Sequence, residues 1–202
     1  MVESKWKNFS LVVVLVTAVF TAFFLAQRVP MEEKKGRSFL DLYQELSGAW
    51  KGAGVKGTRL HEAFSELGGL PSRKLGEIKA NILEYKKHDD KRIALLASAY
   101  LDLVDFAIES REHKSALDDV RVSHDKSTCE TLGLYERLND STKHLVSIAS
   151  VYSVKLDSFI SKYPSEAKQI SLKEFVFDSD KALKVLAKQG EAVDYFKEKC
   201  RK

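Results

Sequence analysis

Five histidines are the residues of this chain best suited to metal or acid–base chemistry. Zinc proteases carry H-E-x-x-H on a helix, but after His61 and Glu62 the chain has Ser65 where the second histidine belongs. Di-iron bundles need Glu-x-x-His on facing helices, and no histidine here has a glutamate three residues before it. Glu109 and His113 share a helix face and are suited to a divalent ion, although such pairs are more often surface hydrogen bonds. We therefore expect no metal and no cofactor.

The glycine-rich stretch at 48–57 is a second candidate site, because its last glycines spell G-x-G-x-x-G. A dinucleotide-binding loop follows a strand, whereas a helical pattern precedes this one. A phosphate-binding loop continues with Lys and then Ser or Thr, whereas Gly57 is followed by Thr58 and Arg59. We interpret the stretch as a flexible connection between two helices.

The two cysteines, Cys129 and Cys200, allow either one disulfide or two separate buried thiols. Cys129 lies about 51 Å along a helix before Tyr163, and a last helix from Asp178 to Cys200 spans about 33 Å. If residues 165–177 run back by about 20 Å, the two cysteines arrive at the same level. Both interpretations stay open, and no nucleophile with a base and an oxyanion site is recognisable nearby. We expect no catalytic residue.

The elements that position these residues are helices, because no stretch shows a strand pattern. Residues 93–108 contain thirteen apolar residues in sixteen, which predicts a central helix surrounded by others. Residues 127–163 predict a single long helix of about 55 Å, and residues 72–120 are expected to fold back against it as an antiparallel partner. The long helix has a coiled-coil-type seam at Tyr135, Leu138, Thr142, Leu145, Ala149, Tyr152, Leu156, Phe159 and Tyr163.

Shorter helices are predicted on both sides of this pair. Ser38 is an expected N-cap with Asp41 three residues on, and Thr58 is expected to cap a helix carrying Leu60 and Leu67. A last helix is predicted from Asp178 or Asp180. Its expected buried side consists of Leu183, Leu186, Val193, Phe196 and Cys200.

Residues 9–26 are eighteen residues without a charge, enough for a membrane-spanning helix of about 27 Å. A cleaved signal peptide is the alternative. It is disfavoured because cleavage after Ala26 would place Phe24, not a small residue, at the third position before the cut. Representative anchor residues are Phe9, Leu11, Val14, Val19, Phe23 and Ala26.

The predicted organisation is therefore a short basic tail and anchor at 1–28, a charged linker at 29–37, and a helical bundle domain at 38–202. The fold class is all-α, with an N-terminal single transmembrane helix followed by an antiparallel helical bundle that includes one long heptad-patterned helix. Positive residues on both sides of the anchor leave a cytoplasmic body open, but we expect an extracytoplasmic one, as for an uncleaved signal. The net charge of +4 is dispersed, so nucleic acid is not an expected partner.

Three functions fit these features. The leading hypothesis is a membrane-anchored helical module without catalytic activity, which contacts the bilayer through residues 9–26 and binds a protein partner or itself through helix faces. The second is a sensor bundle that holds a small ligand in its core near Tyr85, Tyr100, Tyr135 and Tyr152. The third is a membrane-attached enzyme. If the N-terminal segment is cleaved, the chain becomes a secreted helical protein.

The anchor makes a direct prediction about the mature N-terminus. Because no good cleavage site ends the apolar segment, N-terminal sequencing of the native product should recover residues from within 1–8. A mature chain that begins after Ala26 would contradict the anchor and leave a secreted protein.

Overall fold

The computed structural model describes residues 37–57, 59–123, 127–173, 175 and 177–201, without the side chains of residues 64 and 65. The predicted anchor residues (Phe9, Leu11, Val14, Val19, Phe23 and Ala26) lie outside these ranges. Among the helices that are described, none is long and apolar enough to cross a bilayer. Residues Ser38–Lys202 form a compact unit.

The all-helical class is confirmed for the described residues, which contain no strand. They pack as a helical bundle, with long helices in the middle of the chain and short ones at the start. The helices are α1 (Phe39–Lys51), α2 (Phe64–Gly69), α3 (Ser72–Tyr85), α4 (Lys91–Arg121), α5 (Thr128–Lys162), α6 (Pro164–Gln169) and α7 (Ser179–Cys200).

The first half of α4 is the centre of the bundle, as its apolar sequence predicts. It packs against α1, α2, α3 and α5. Asp90 caps its first turn by accepting a hydrogen bond from the backbone N–H of Arg92 at 2.9 Å. Arg92 also contacts Glu166 on α6 at 3.1 Å. The fully buried side chains of this half include Ile93, Leu96, Ala97, Tyr100, Val104 and Ala107.

Helices α4 and α5 form the predicted antiparallel pair. Asp119 near the end of α4 contacts Arg137 near the start of α5, whereas Asp102 contacts Lys155 farther along α5. Helix α5 starts with a capping box formed by Ser127 and by Glu130, three residues later. A serine followed by glutamate at this spacing favours such a box. Most of the predicted seam is buried, namely Leu138, Thr142, Ala149, Tyr152, Leu156 and Phe159, with Tyr135, Leu145 and Tyr163 half-buried.

The predicted capping box at Ser38 and Asp41 starts α1. The helix expected from Thr58 is shorter than its apolar pattern suggests. Residues 59–62 form turns, and α2 begins only at Phe64. Leu60 and Leu67 are nevertheless fully buried, so their apolar side chains fill the core from a turn as well as from a helix.

The last helix, α7, packs chiefly against α5. It starts where predicted, with the Asp178 side chain accepting from the N–H of Lys181. The Ser153 hydroxyl on α5 donates a hydrogen bond to the carbonyl of Phe175 at 3.3 Å. Because Ser153 lies about 15 Å before the end of α5, the connection that leads to α7 runs back along α5 by that distance. Val193 is buried against α5, but Leu183, expected on the buried side, is 59% exposed. That part of the prediction was wrong because α7 has one close neighbour and buries only a narrow face.

The structure joins Cys129 and Cys200 in a disulfide, with Cα atoms 5.1 Å apart. The bond ties the start of α5 to the end of α7. Next to it, the rings of Tyr135 and Phe196 stack with centroids 5.0 Å apart. The covalent link therefore holds the end of a helix that has little other packing.

We predict that Cys200→Ser loosens α7 more than any other helix. The disulfide closes a loop over a sequence separation of 71 residues, which corresponds to about 4 kcal/mol of stabilisation in a chain-entropy model. Amide exchange in α7 should accelerate, whereas exchange in the first half of α4 should change little. Two free thiols per chain under denaturing, non-reducing conditions would contradict the disulfide.

Candidate functional site

The hydroxyl of Tyr100 is the most deeply buried polar group at the centre of the bundle. It lies 3.2 Å from Nδ1 of His61 and hydrogen-bonds to the side chain of Tyr43 on α1. The ring of Trp50 meets the Tyr100 ring edge-on, with centroids 5.5 Å apart. We call Tyr43, Tyr100 and His61 the polar relay.

Backbone geometry holds His61 in place without a helix. The N–H of Ala63 donates to the carbonyl of Arg59 at 3.2 Å, and the indole N–H of Trp50 donates to the carbonyl of Gly57 at 3.1 Å. A Cβ on Gly57 would lie only 3.2 Å from Cβ of Ala63. This close approach favours glycine at position 57.

Burial sets the charge of the relay. It lowers the pKa of His61, although nearby Glu62 acts in the opposite direction, so the imidazole is neutral near pH 7. Burial raises the pKa of Tyr100 well above its ordinary value and raises the pKa of Tyr43 less. The relay is a chain of neutral hydrogen bonds.

A partly open pocket of about 140 Å³ lies at the His61 end of the relay. We call it the His61 cavity. Nε2 of His61 is buried and has no hydrogen-bond partner among the described residues. The backbone of Ser171 lies near enough to favour the protonated imidazole, but it does not make a hydrogen bond of ordinary geometry to Nε2. The cavity is lined by His61, Leu103, Phe106, Ala149, Tyr152 and Phe175.

A more open cleft of about 310 Å³ lies at the Tyr43 end of the relay. Residues of α1 form one wall, including Ser47 and Lys51, and Gln169 at the end of α6 contributes another. Arg59 lines the cleft and is paired with Glu62 at 2.9 Å. The relay thus lies between a polar surface cleft and a largely apolar pocket.

The other histidines do not converge on a metal. Nδ1 of His113 lies 3.1 Å from the Ser141 hydroxyl, and Nδ1 of His144 lies 3.6 Å from a Glu109 carboxylate oxygen. Nδ1 of His88 accepts the N–H of Asp90. No group of three His, Cys, Asp or Glu side chains suited to a metal occurs in the described part of the chain. His124 lies outside it.

The acidic stripe of α4 is paired along its length. The Lys155 ammonium lies 2.6 Å from a carboxylate oxygen of Asp102, at an angle outside the range of a hydrogen bond. The Lys79 ammonium lies 2.6 Å from a carboxylate oxygen of Asp105. These carboxylates are half-buried. The stripe therefore joins α4 to its neighbours through ion pairs.

The four tyrosines proposed to surround a ligand do not gather in one place. Tyr85 stacks near His88, and Tyr135 stacks against Phe196 at the far end of α5. Of the four, Tyr152 lines the His61 cavity, and Tyr100 lies in the relay beside it. The described residues therefore do not form a large tyrosine-lined chamber around these side chains.

Comparisons with known proteins found no match: no family model fits the chain, and no curated protein or solved structure resembles it.

Sequence reasoning missed the polar relay, because its members are far apart in the chain. Tyr43 fell on a predicted apolar helix face, Tyr100 was considered only as a contact for a core ligand, and His61 was assessed only as half of a zinc motif. The available signal was that a buried phenol needs a hydrogen-bond partner, which makes any tyrosine inside the central helix a marker of a second polar group.

We predict that His61 makes the protein less stable at acidic pH. Its lowered pKa in the folded state means that the unfolded chain, with a histidine pKa of about 6.5, takes up a proton first as the pH falls. The free energy of unfolding should therefore decrease as the pH falls from about 7 towards the folded-state pKa. His61→Gln should reduce this decrease in urea unfolding measured at pH 8 and pH 5.5.

His144→Gln is the matched control, because the His144 side chain is largely exposed. His113, whose pKa burial also lowers, contributes in the same direction and stays unchanged in both variants. An unaltered pH dependence in His61→Gln would contradict the prediction.

Proposed function

We propose that this chain is a single-pass membrane-anchored helical bundle that acts as a protein interaction, assembly or scaffold module without catalytic activity. Its bilayer contact is the uncharged segment at 9–26, and its body lies outside the cytoplasm. The observation that carries the proposal is an apolar patch on the described bundle, formed by Val151 and Val154 on α5 and Leu183 on α7.

Val151 and Val154 are three residues apart and so share one face of α5. They are 44% and 66% exposed, whereas Ala149 and Tyr152, on the side that packs against α4, are buried. A single exposed valine is ordinary on a protein surface, whereas neighbouring exposed apolar side chains form a patch of the kind found at interaction sites. This grouping supports a role for this face in binding.

Leu183 extends the patch from α7. The stacking of Tyr135 on Phe196 fixes the antiparallel register of the two helices, and counting back from it places Leu183 level with residue 148, roughly 5 Å from Val151 along the axis. Successive residues of a helix are rotated by about 100° around its axis. Counted in this way, Leu183 lies on the side of α7 that is next to the exposed side of α5. The three side chains therefore form one surface.

Serines surround this patch on α5, at Ser147, Ser150 and Ser158. Small polar side chains allow close approach of a second helix and carry little charge that must lose water on binding. This composition supports a protein partner with an apolar helix face, or a second copy of the chain, over a nucleic acid.

A secreted form of the same bundle is the alternative if the N-terminal segment is removed. The apolar patch is the same in that case, because it is formed only by residues of the bundle. The membrane-attached enzyme has no support from the described residues, since the relay holds no activated nucleophile.

We predict that the double variant Val154→Lys, Leu183→Lys weakens association of the full chain in its native membrane by roughly tenfold or more, because two charges would have to be buried on binding. The measurement is the yield of chemically crosslinked product. Leu83→Lys is the matched control, because Leu83 on α3 is 51% exposed and lies away from the patch. A wild-type body that crosslinks to nothing, or equal yields from all variants, would contradict the proposal.

A further inference from the structure

One exposed side of α7 carries lysines along most of its length. Together with a valine and a tyrosine between them, they form what we call the lysine stripe. Its members are all exposed, namely Lys181, Lys184, Val185, Lys188, Tyr195 and Lys199. Because successive residues are rotated by about 100°, the six side chains fall within about 100° of the helix circumference. They extend over about 27 Å along the helix axis.

The acids of α7 lie on a neighbouring arc of the helix and not in the lysine stripe. They are Asp180, Glu191, Asp194 and Glu198. Positive charge is therefore collected on one side of α7, with the negative charge beside it.

Three of the four lysines in the stripe have no charged partner on the bundle. Within the described ranges, Lys181, Lys184 and Lys188 form no ion pair, whereas Lys197, on the side towards α5, pairs with Glu136 at 3.3 Å. The three unpaired lysines follow one another at spacings of three and four residues, where like charges repel and weaken a helix. An anionic surface outside the chain would offset this repulsion.

The residue types in the stripe distinguish between anionic partners. Arginine, which binds phosphate or carboxylate through two parallel hydrogen bonds, is the preferred cation at nucleic-acid and protein interfaces, and the stripe contains none. Lysine carries its charge on a flexible stem, which suits a fluid layer of lipid headgroups. Val185 and Tyr195, which are 43% and 57% exposed, suit the boundary between headgroups and acyl chains.

We propose that the lysine stripe binds the anionic headgroups of a lipid bilayer, with its lysines at the phosphate groups and Val185 and Tyr195 at the interface. This contact is additional to the proposed anchor, because it depends only on residues of α7. Leu183 of the apolar patch lies about 100° or more around the helix from every member of the stripe. A bilayer and a protein partner can therefore contact α7 at the same time.

Lysine acylation tests the contact residue by residue in the full chain. The chain is placed in nanodiscs of phosphatidylcholine alone, or of phosphatidylcholine with about one third phosphatidylglycerol, and is treated with a water-soluble acylating ester. Mass spectrometry then gives the acylation rate of each lysine. At about 0.1 M salt, the rates at Lys184 and Lys188 should be roughly threefold or more slower in the anionic discs. The difference should disappear at about 1 M salt, where the screening length is about 3 Å.

The double variant Lys184→Gln, Lys188→Gln tests whether the stripe acts as a unit. Each lysine near an anionic surface strengthens the attraction roughly fivefold, so the variant should lose most of the protection that remains to be measured at Lys181. Lys86→Gln, Lys87→Gln is the matched control, because it removes the same charge from exposed positions after α3 and should leave the protection of Lys181 unchanged.

Retention of the chain in the neutral discs reports on the anchor, and the effect of phosphatidylglycerol reports on the stripe. A chain that is not retained is mixed with vesicles of the same two compositions, and the same comparison of acylation rates applies. Equal rates in neutral and anionic lipid would overturn the proposal and point to an acidic protein or a nucleic acid as the partner. Protection that persists at about 1 M salt, or that is unchanged at Lys181 in the double variant, would overturn it as well.

Discussion

The constraint on which the structure depends is the burial of the first half of α4, where eight of the sixteen side chains at 91–106 are buried. Helices α1, α2, α3 and α5 pack against α4, so the side chains that face them must be apolar and close-packed. The acids that remain on this half are placed where a lysine from another helix reaches them, as Lys155 reaches Asp102 and Lys79 reaches Asp105. The charge pattern is thus consistent with the sides that α3 and α5 turn towards α4.

This constraint divides the bundle into two ends of different character. At the end that contains α1 to α3, α4 is enclosed and the core is continuous. At the other end, α4 and α5 continue with α7 on the far side of α5, and less apolar surface is buried per residue. The disulfide between Cys129 and Cys200 lies at this thinner end, where a covalent constraint replaces part of the missing core.

Helical periodicity was sufficient to predict the parts of the fold that depend on local pattern. The start of α1 at Ser38, the extent of α5 and the N-cap of α7 at Asp178 follow from capping residues and spacing. Periodicity failed where the number of neighbours decides the outcome. Leu183 belongs to an apolar stripe, but α7 packs chiefly against α5 and leaves the Leu183 side chain exposed. After Thr58, the apolar residues reach the core from turns, because burial constrains where a side chain lies more than it constrains the backbone conformation that places it there.

The candidate site illustrates a further limit of sequence. Tyr100 is separated from His61 by 39 residues and is still farther from Tyr43, so no local spacing connects them. What connects them is the cost of leaving a hydroxyl unpaired inside the most enclosed helix. Tyr43 and His61 are the hydrogen-bond partners that avoid this cost. His61 comes from a segment without helical hydrogen bonding. The relay therefore helps to fix the position of residues 59–63, and it brings His61 to the wall of a largely apolar pocket. A residue that no helical pattern would place in the core is thus positioned by the hydrogen-bonding requirement of another residue 39 positions away.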